Sequence, residues 1–382
     1  MKDSRLNRIP YIDVARALAI ISITTNHAYN RSFATDFGTQ AEYLALPFLV
    51  SVLKTLTHSF SRLGVPIFVM ITGALLLPRD YSKNYSKFLK HNWLRLFITT
   101  EIWLAIMFWY LQLFPNSILF TNGFGYCLLR FFMTLLFINP VTMHSMWYME
   151  MILCVYLLIP ILSVALQKLP SYAFWLPLVI VAVCSFVLVD FNSVLTGLGV
   201  SEEVSTSLSS ANVFSMFVVY LMIGYWISRG SLQKYSTAII LLLFIVFFIL
   251  VSALQLWLYS TESDIIVAKG YKSFLLLGAS TFLFELLRRT EYENGRFLSS
   301  CRFLADIAFG IYFIHICIME GLKRVVDYFL PGIRYFSEFF FLEIISVIGA
   351  ILLIQIFRKN AWIASHLLGI KPYKQHEASE QN

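Results

Sequence analysis

Runs of about 20 apolar residues, each the length a helix needs to cross a hydrocarbon layer, recur along nearly the whole chain. They fall near residues 9–29, 59–78, 94–114, 146–167, 173–190, 213–228, 237–258, 270–287, 304–322 and 338–357. The pattern predicts an all-α polytopic transmembrane bundle of about ten spans. An eleventh run, 126–138, is shorter, carries Arg130 and ends at Asn139-Pro140. The first run holds the most conspicuous interruption, with Asp13, Arg16 and His27 set among residues otherwise fit for lipid. Arg16 and His27 are eleven positions apart, which on a helix returns to within roughly 20° of the same face and separates them by roughly 16 Å along the axis. Ionisable side chains within a membrane segment are costly, and function is the default reading of them.

Composition narrows the class further. Of 382 residues, 58% are hydrophobic and 13% charged, against about 25% charged in soluble domains. The formal net charge of +7 does not indicate nucleic acid, because Lys and Arg flank the apolar runs and form no single basic tract. With ten spans and a cytoplasmic N-terminus, most basic residues fall inside, including Lys87, Lys90, Arg95, the cluster from Arg288 to Arg302 and the C-terminal Lys371 and Lys374. Arg31, Lys54, Arg62, Arg130, Lys269, Lys272, Lys323, Arg324 and Arg334 then lie outside, as does an acidic loop around Asp190, Glu202 and Glu203. A crossing by 126–138 would reverse every later loop and expose the basic C-terminus, so this segment is expected to be an interfacial or re-entrant helix on the external side. Both termini are therefore expected in the cytoplasm. The reading gives one integral membrane domain, 1–370, and a short polar tail, 371–382, with loops of about 30 residues at 30–58 and 115–145 and no soluble appendage. The first run has no cleavage site and is expected to remain as a helix. The five cysteines lack metal-ligand spacing and read as buried small hydrophobes.

Several polar groups on the predicted spans have chemistry to offer. His27 is the only group of the first run able to take and return a proton near neutral pH, and the topology sets it near the external end, where a general base would meet an acceptor from outside. The alternative is an interfacial or bundle-bound histidine. Arg16, permanently charged, either grips a phosphate or carboxylate or serves structurally, paired with Asp13 or snorkelling to the inner interface. Arg62 opens the second span ahead of Pro66 and Gly73, residues that permit a bend and close helix approach; an interface arginine on a kinked helix is the plainer reading. Glu150 starts the fourth span, and Tyr312 and His315 share a face of the ninth; each is either functional or a polar contact between packed helices.

Taken together, the ordered patches resemble the acyltransferase 3 family of integral membrane acyltransferases that modify bacterial cell-surface glycans. Asp13-x-x-Arg16 followed by His27 is similar to that family's first-helix signature, and Arg62-x-x-Val65-Pro66-Ile67-Phe68 through Thr72-Gly73 to its second-helix motif. Trp147-Tyr148 through Tyr156 and Pro160 resembles the middle motif, and Gly310-Ile311-Tyr312 through His315 the closing one. The chain departs from the pattern at Asn92, which stands where many members carry the first arginine of an Arg-x-x-Arg cluster, and at Thr72, where serine is commoner.

The resemblance implies transfer of an acyl group, most often acetyl, from cytoplasmic acyl-CoA to a sugar hydroxyl on the far side of a bacterial inner membrane, without a metal. Arg16, Lys87, Lys90 and Arg95 would attract the polyanionic CoA, and His27 would act as base. Arg62 or Tyr312 would stabilise the oxyanion, and Glu150 or Asp13 would orient His27 or Arg16, with His315 in the same closing motif as Tyr312. The implied partners are acyl-CoA, a glycan or lipid-linked sugar, and membrane lipid. A transporter or flippase of a glycan or lipid intermediate is the competing class, in which Arg16 and His27 would line a substrate or proton path.

Overall fold

The computed structural model describes residues 8–33, 46–115, 117–138, 140–141, 143–170, 172–200, 204, 216–261, 271–330, 332–333 and 335–370. Every regular element among them is helical. In chain order the helices are α1 (Pro10–Ser32), α2 (Phe48–Ser61), α3 (Gly64–Leu76), α4 (Tyr85–Gln112), α5 (Ile118–Asn122), α6 (Phe124–Leu135), α7 (Trp147–Lys168), α8 (Tyr172–Gly197), α9 (Phe217–Ser228), α10 (Thr237–Ser260), α11 (Phe274–Arg289), α12 (Arg296–Phe329) and α13 (Tyr335–Phe357).

Seven of these stretches are long and apolar enough to cross a membrane: α2–α3 together, α4, α7, α8, α10, α12 and α13. Their outward residues, such as Leu242, Ile249 and Leu250 on α10 and Ile344, Ile348 and Leu352 on α13, are exposed apolar side chains, which only lipid or a partner would cover. The chain is a multi-pass helical membrane protein. The other three predicted runs are helical but differ from spans: α1 is 23 residues long yet interrupted by polar residues, α9 has 12 described residues and α11 has 16. The 126–138 run forms α6, whose 12 residues extend about 18 Å, short of the ~30 Å of a hydrocarbon core.

Several expected loops are helix instead. Residues 48–58 of the predicted 30–58 loop belong to α2, and Asp190 of the predicted acidic loop lies within α8. Lys87, Lys90 and Arg95 sit on the first turns of α4, while Arg296 and Arg302, like Lys323 and Arg324, extend α12 to 34 residues. In each case charged residues end the apolar run without ending the helix, because backbone hydrogen bonding continues wherever the charge finds water or a partner. Cys127 and Cys301 are buried as expected; Cys184 and Cys317 are half-buried and Cys154 is exposed. Glu202, Glu203 and the tail 371–382 lie outside the described residues.

The chain divides into two units, one of Met1–Asp80 and Leu162–Ala305, the other of Tyr81–Ile161 and Asp306–Asn382. In the first unit α1 begins with Pro10, preset for a first helical turn, carries Asp13 near its N-terminus and Arg31 near its C-terminus, and packs Val14 and Ala17 on Leu298 and Cys301. The α2–α3 break falls at Arg62 and Leu63, ahead of Pro66, which has no N–H to give. Ser22 of α1 stitches the break: its hydroxyl donates to Phe60 O at 2.9 Å and accepts from Gly64 N at 2.8 Å.

A buried carboxylate also braces this unit. Glu285 of α11, fully buried, accepts from Arg288 Nε and Nη2, both at 2.8 Å, and from Arg289 Nε at 2.5 Å, while Arg289 also donates to Tyr235 O. Replacing Glu285 by Ala leaves two largely buried guanidinium groups without their carboxylate partner and is expected to cost about 3–5 kcal/mol. The check is the thermal midpoint of purified protein in detergent, where an unchanged midpoint would refute the assigned weight of this cluster.

Candidate active site

The polar cluster in the first unit is built from a stripe on α2. Ser51, Lys54, Thr55, His58, Ser59 and Ser61 are all at most 6% exposed, and the first five recur at helical spacing on one face. A charged lysine and a histidine buried on a membrane helix mark that face as functional ground. His58 packs its ring, tilted by 39°, against Tyr29 of α1 with centroids 5.1 Å apart, and its Nε2 accepts from Arg62 Nε at 3.2 Å. Lys54 lies over the Phe33 ring at 5.3 Å. Asn26 donates to Ser61 Oγ at 3.0 Å, Asn30 to Asn26 Oδ1 at 3.1 Å, and Ser252 of α10 to Ser59 Oγ at 2.8 Å.

His27, 8% exposed, lies in the chain between Asn26 and Tyr29, each of which touches α2. Arg16 is half-buried on the same helix, and α1 is continuous from Pro10 to Ser32, so the shared face predicted for Arg16 and His27 rests on unbroken geometry. Asp13, 2% exposed, is held by Arg8 through Nε at 2.8 Å and Nη2 at 3.1 Å, with Arg302 Nε at 4.0 Å. Arg62 is half-buried at the helix break, with its guanidinium carbon 5.7 Å from the Tyr271 ring centre. Tyr271 is held in turn. Its carbonyl accepts from Tyr220 OH at 3.0 Å, and Asp190 Oδ2 caps the start of α11 by accepting from Ser273 Oγ and Leu275 N, both at 3.1 Å.

The remaining sequence-derived residues belong to the second unit. Tyr312, 6% exposed, donates its hydroxyl to Ser145 O and tilts against Tyr148 at 5.8 Å. His315 is fully buried with Nδ1 2.6 Å from Ile311 O, so Nδ1 carries a proton and donates it to that carbonyl. Glu150 is half-buried on the first turn of α7. Lys87, Lys90 and Arg95 are exposed, and Arg95 Nη2 also donates to Ser365 O at 2.8 Å. In that unit Trp103 of α4 stacks on Phe313 of α12 at 4.7 Å and donates to Leu367 O, so the neighbour of Tyr312 is fixed by packing.

The structure thus brings Arg62 into one lattice with the α1 segment that carries His27, and adds His58, Lys54, Asn26 and Tyr271, which the sequence reading missed. The signal for Lys54 and His58 is a polar stripe at helical period on α2, which runs of apolar residues do not mark.

A multi-pass helical membrane protein that carries histidine and arginine side chains around one polar cluster offers the residue types that base-assisted group transfer uses. The family model described as an acyltransferase domain matches residues 9–355, and the chain belongs to that family, acyltransferase 3. It is therefore a membrane acyltransferase. No curated protein and no solved structure matches it significantly.

Proposed function

We propose that this protein is an O-acyltransferase, with acetyl as the group it carries, of the bacterial cytoplasmic membrane, moving the acyl group of cytoplasmic acyl-CoA to a hydroxyl of a cell-surface or lipid-linked glycan. The observation that carries this reading is the placement of His27, buried on a continuous helix face with Arg16 and tied by its neighbours to the helix of Arg62. His27 withdraws the proton of the acceptor hydroxyl as that oxygen bonds to the thioester carbonyl carbon. The carbon–sulfur bond then breaks, and the imidazolium returns the proton to the CoA thiolate, leaving one oxygen ester in place of one thioester.

Arg62 is the preferred partner for the transient oxyanion, because it offers several N–H donors, whereas the single hydroxyl proton of Tyr312 is committed to Ser145 O. Glu150, Tyr312 and His315 are assigned to positioning within their own unit. The exposed Lys87, Lys90 and Arg95 supply positive charge for the nucleotide and phosphates of CoA, and Arg16 supplies more along α1. The roughly 16 Å between Arg16 and His27 suits the length of a pantetheine arm.

Mass spectrometry of surface glycans from cells with and without the protein tests the function directly: an acyl ester present only with the protein is expected. Glycan or lipid movement without consumption of acyl-CoA would instead make it a transporter or flippase.

Ten spans with both termini in the cytoplasm complete the reading, on the strength of the positive-inside distribution. A cysteine introduced beside Lys168 is expected to resist an impermeant thiol reagent added from outside. Labelling there would make α6 a crossing segment and reverse every later loop.

A further inference from the structure

His58 occupies the centre of the α2 stripe, one helical turn after Lys54 and one before Arg62, yet the transfer chemistry above does not use it. We infer that His58 is a neutral hydrogen-bond acceptor that positions Arg62 for the transferring acyl group, with Tyr271 as the opposing wall. This rests on the assignment of Arg62 to the oxyanion.

The hydrogen bond itself sets the protonation state. A guanidinium only donates and does not release its proton, so Arg62 Nε, 3.2 Å from His58 Nε2, requires a lone pair on that nitrogen. The imidazole proton is therefore on Nδ1. A doubly protonated ring would turn an N–H toward the arginine and set three cations on successive turns of one helix, a repulsive arrangement in a buried setting.

Arg62 needs such a partner because the backbone does not aim it. It is the residue after the last of α2, at φ −88° and ψ −8°, where the chain leaves one helix and starts the next. Its side chain is held by what it touches: His58 on Nε and the Tyr271 ring 5.7 Å from the guanidinium carbon. His58 is itself 3% exposed and packed against the Tyr29 ring, so it has little freedom to release its neighbour. Tyr271 has φ +65°, a conformation that non-glycine residues rarely adopt, and is pinned by Tyr220 OH on its carbonyl and by the Asp190 cap two and four residues on. Backbone strain held from several sides is a feature of positions whose geometry serves a site. With one of its five N–H groups taken by His58, the guanidinium keeps others to offer an anionic oxygen.

The test uses full-length protein in lipid with 15N-labelled histidine. Magic-angle-spinning spectra of the wild type, with His58 assigned by its loss in His58→Gln, should show a protonated Nδ1 and an unprotonated Nε2, and the Nε2 resonance should shift in Arg62→Leu. In parallel, transfer from labelled acetyl-CoA to glycan is followed in membrane vesicles. His58→Gln keeps a carbonyl acceptor near the Nε2 position and should stay within about threefold of wild type, while His58→Leu, with no acceptor, should fall by about 10-fold to 100-fold. Protonated Nε2 in the wild type, an Nε2 resonance indifferent to Arg62→Leu, or equal activity of the Gln and Leu variants overturns the proposal. The spectra require no turnover, so they stand even if His27→Ala stays active and the catalytic reading fails.

Discussion

Membranes carrying His27→Ala are expected to contain the protein at its normal level and to acylate no glycan above background. General-base catalysis by a positioned side chain contributes about 10²-fold to 10⁴-fold, and no other group of α1 can exchange a proton near neutral pH. The Asn26–Ser61 hydrogen bond and the Tyr29–His58 ring contact, which hold this segment to α2, are left in place by the substitution. His27→Asn refines the experiment, since an amide keeps hydrogen-bonding capacity but cannot accept a proton for transfer. Both variants should be equally inactive. Acyl transfer within about tenfold of wild type in either would remove His27 as the base.

The second large effect is structural. Gly73→Ala is expected to cost about 3 kcal/mol or more and to abolish a monodisperse folded species in detergent. A Cβ at position 73 would stand 1.9 Å from Leu221 O, and one at Gly224 would stand 2.0 Å from Met70 O. The two contacts are reciprocal, pairing 73 with 221 and 70 with 224, so α3 and α9 run antiparallel with their backbones touching. A carbonyl in a helix ladder cannot swing aside as a flexible side chain would, and the helices must separate along the whole contact. Since α3 starts at the Ser22-bridged break beside Arg62, that displacement would carry into the polar cluster. Gly125→Ala is the control: a Cβ there meets nothing within 4 Å, and its thermal midpoint should match wild type. If Gly73→Ala also matched, the close crossing of α3 and α9 would be disproved.

Much of the architecture could be read from the chain, because lipid imposes a coarse and strong rule. A buried backbone must satisfy its own hydrogen bonds, so long apolar runs become helices, and among the described residues each of the ten runs holds a helix. Helix ends were less legible. Hydropathy marks where the apolar run stops, and polar residues that are themselves buried then look like loop; thus 48–58, with Lys54 and His58, was misread although it is helix throughout. Asp190 was misplaced for the same reason, since its carboxylate is spent on the N-terminus of α11, a partner 83 to 85 positions distant in the chain.

The sequence by itself determined the class, the family motifs and the shared face of Arg16 and His27, because composition and helical period act locally and need no knowledge of neighbours. Only the tertiary structure decided which polar groups meet. It joined Tyr29 to His58, His58 to Arg62 and Arg62 to Tyr271, contacts spanning three separate stretches of chain. It also turned Gly73 from a permissive residue into a required one, since only the approach of α9 leaves no room for a methyl group there. Long-range pairing depends on which faces are brought together, and a single chain of letters does not state that.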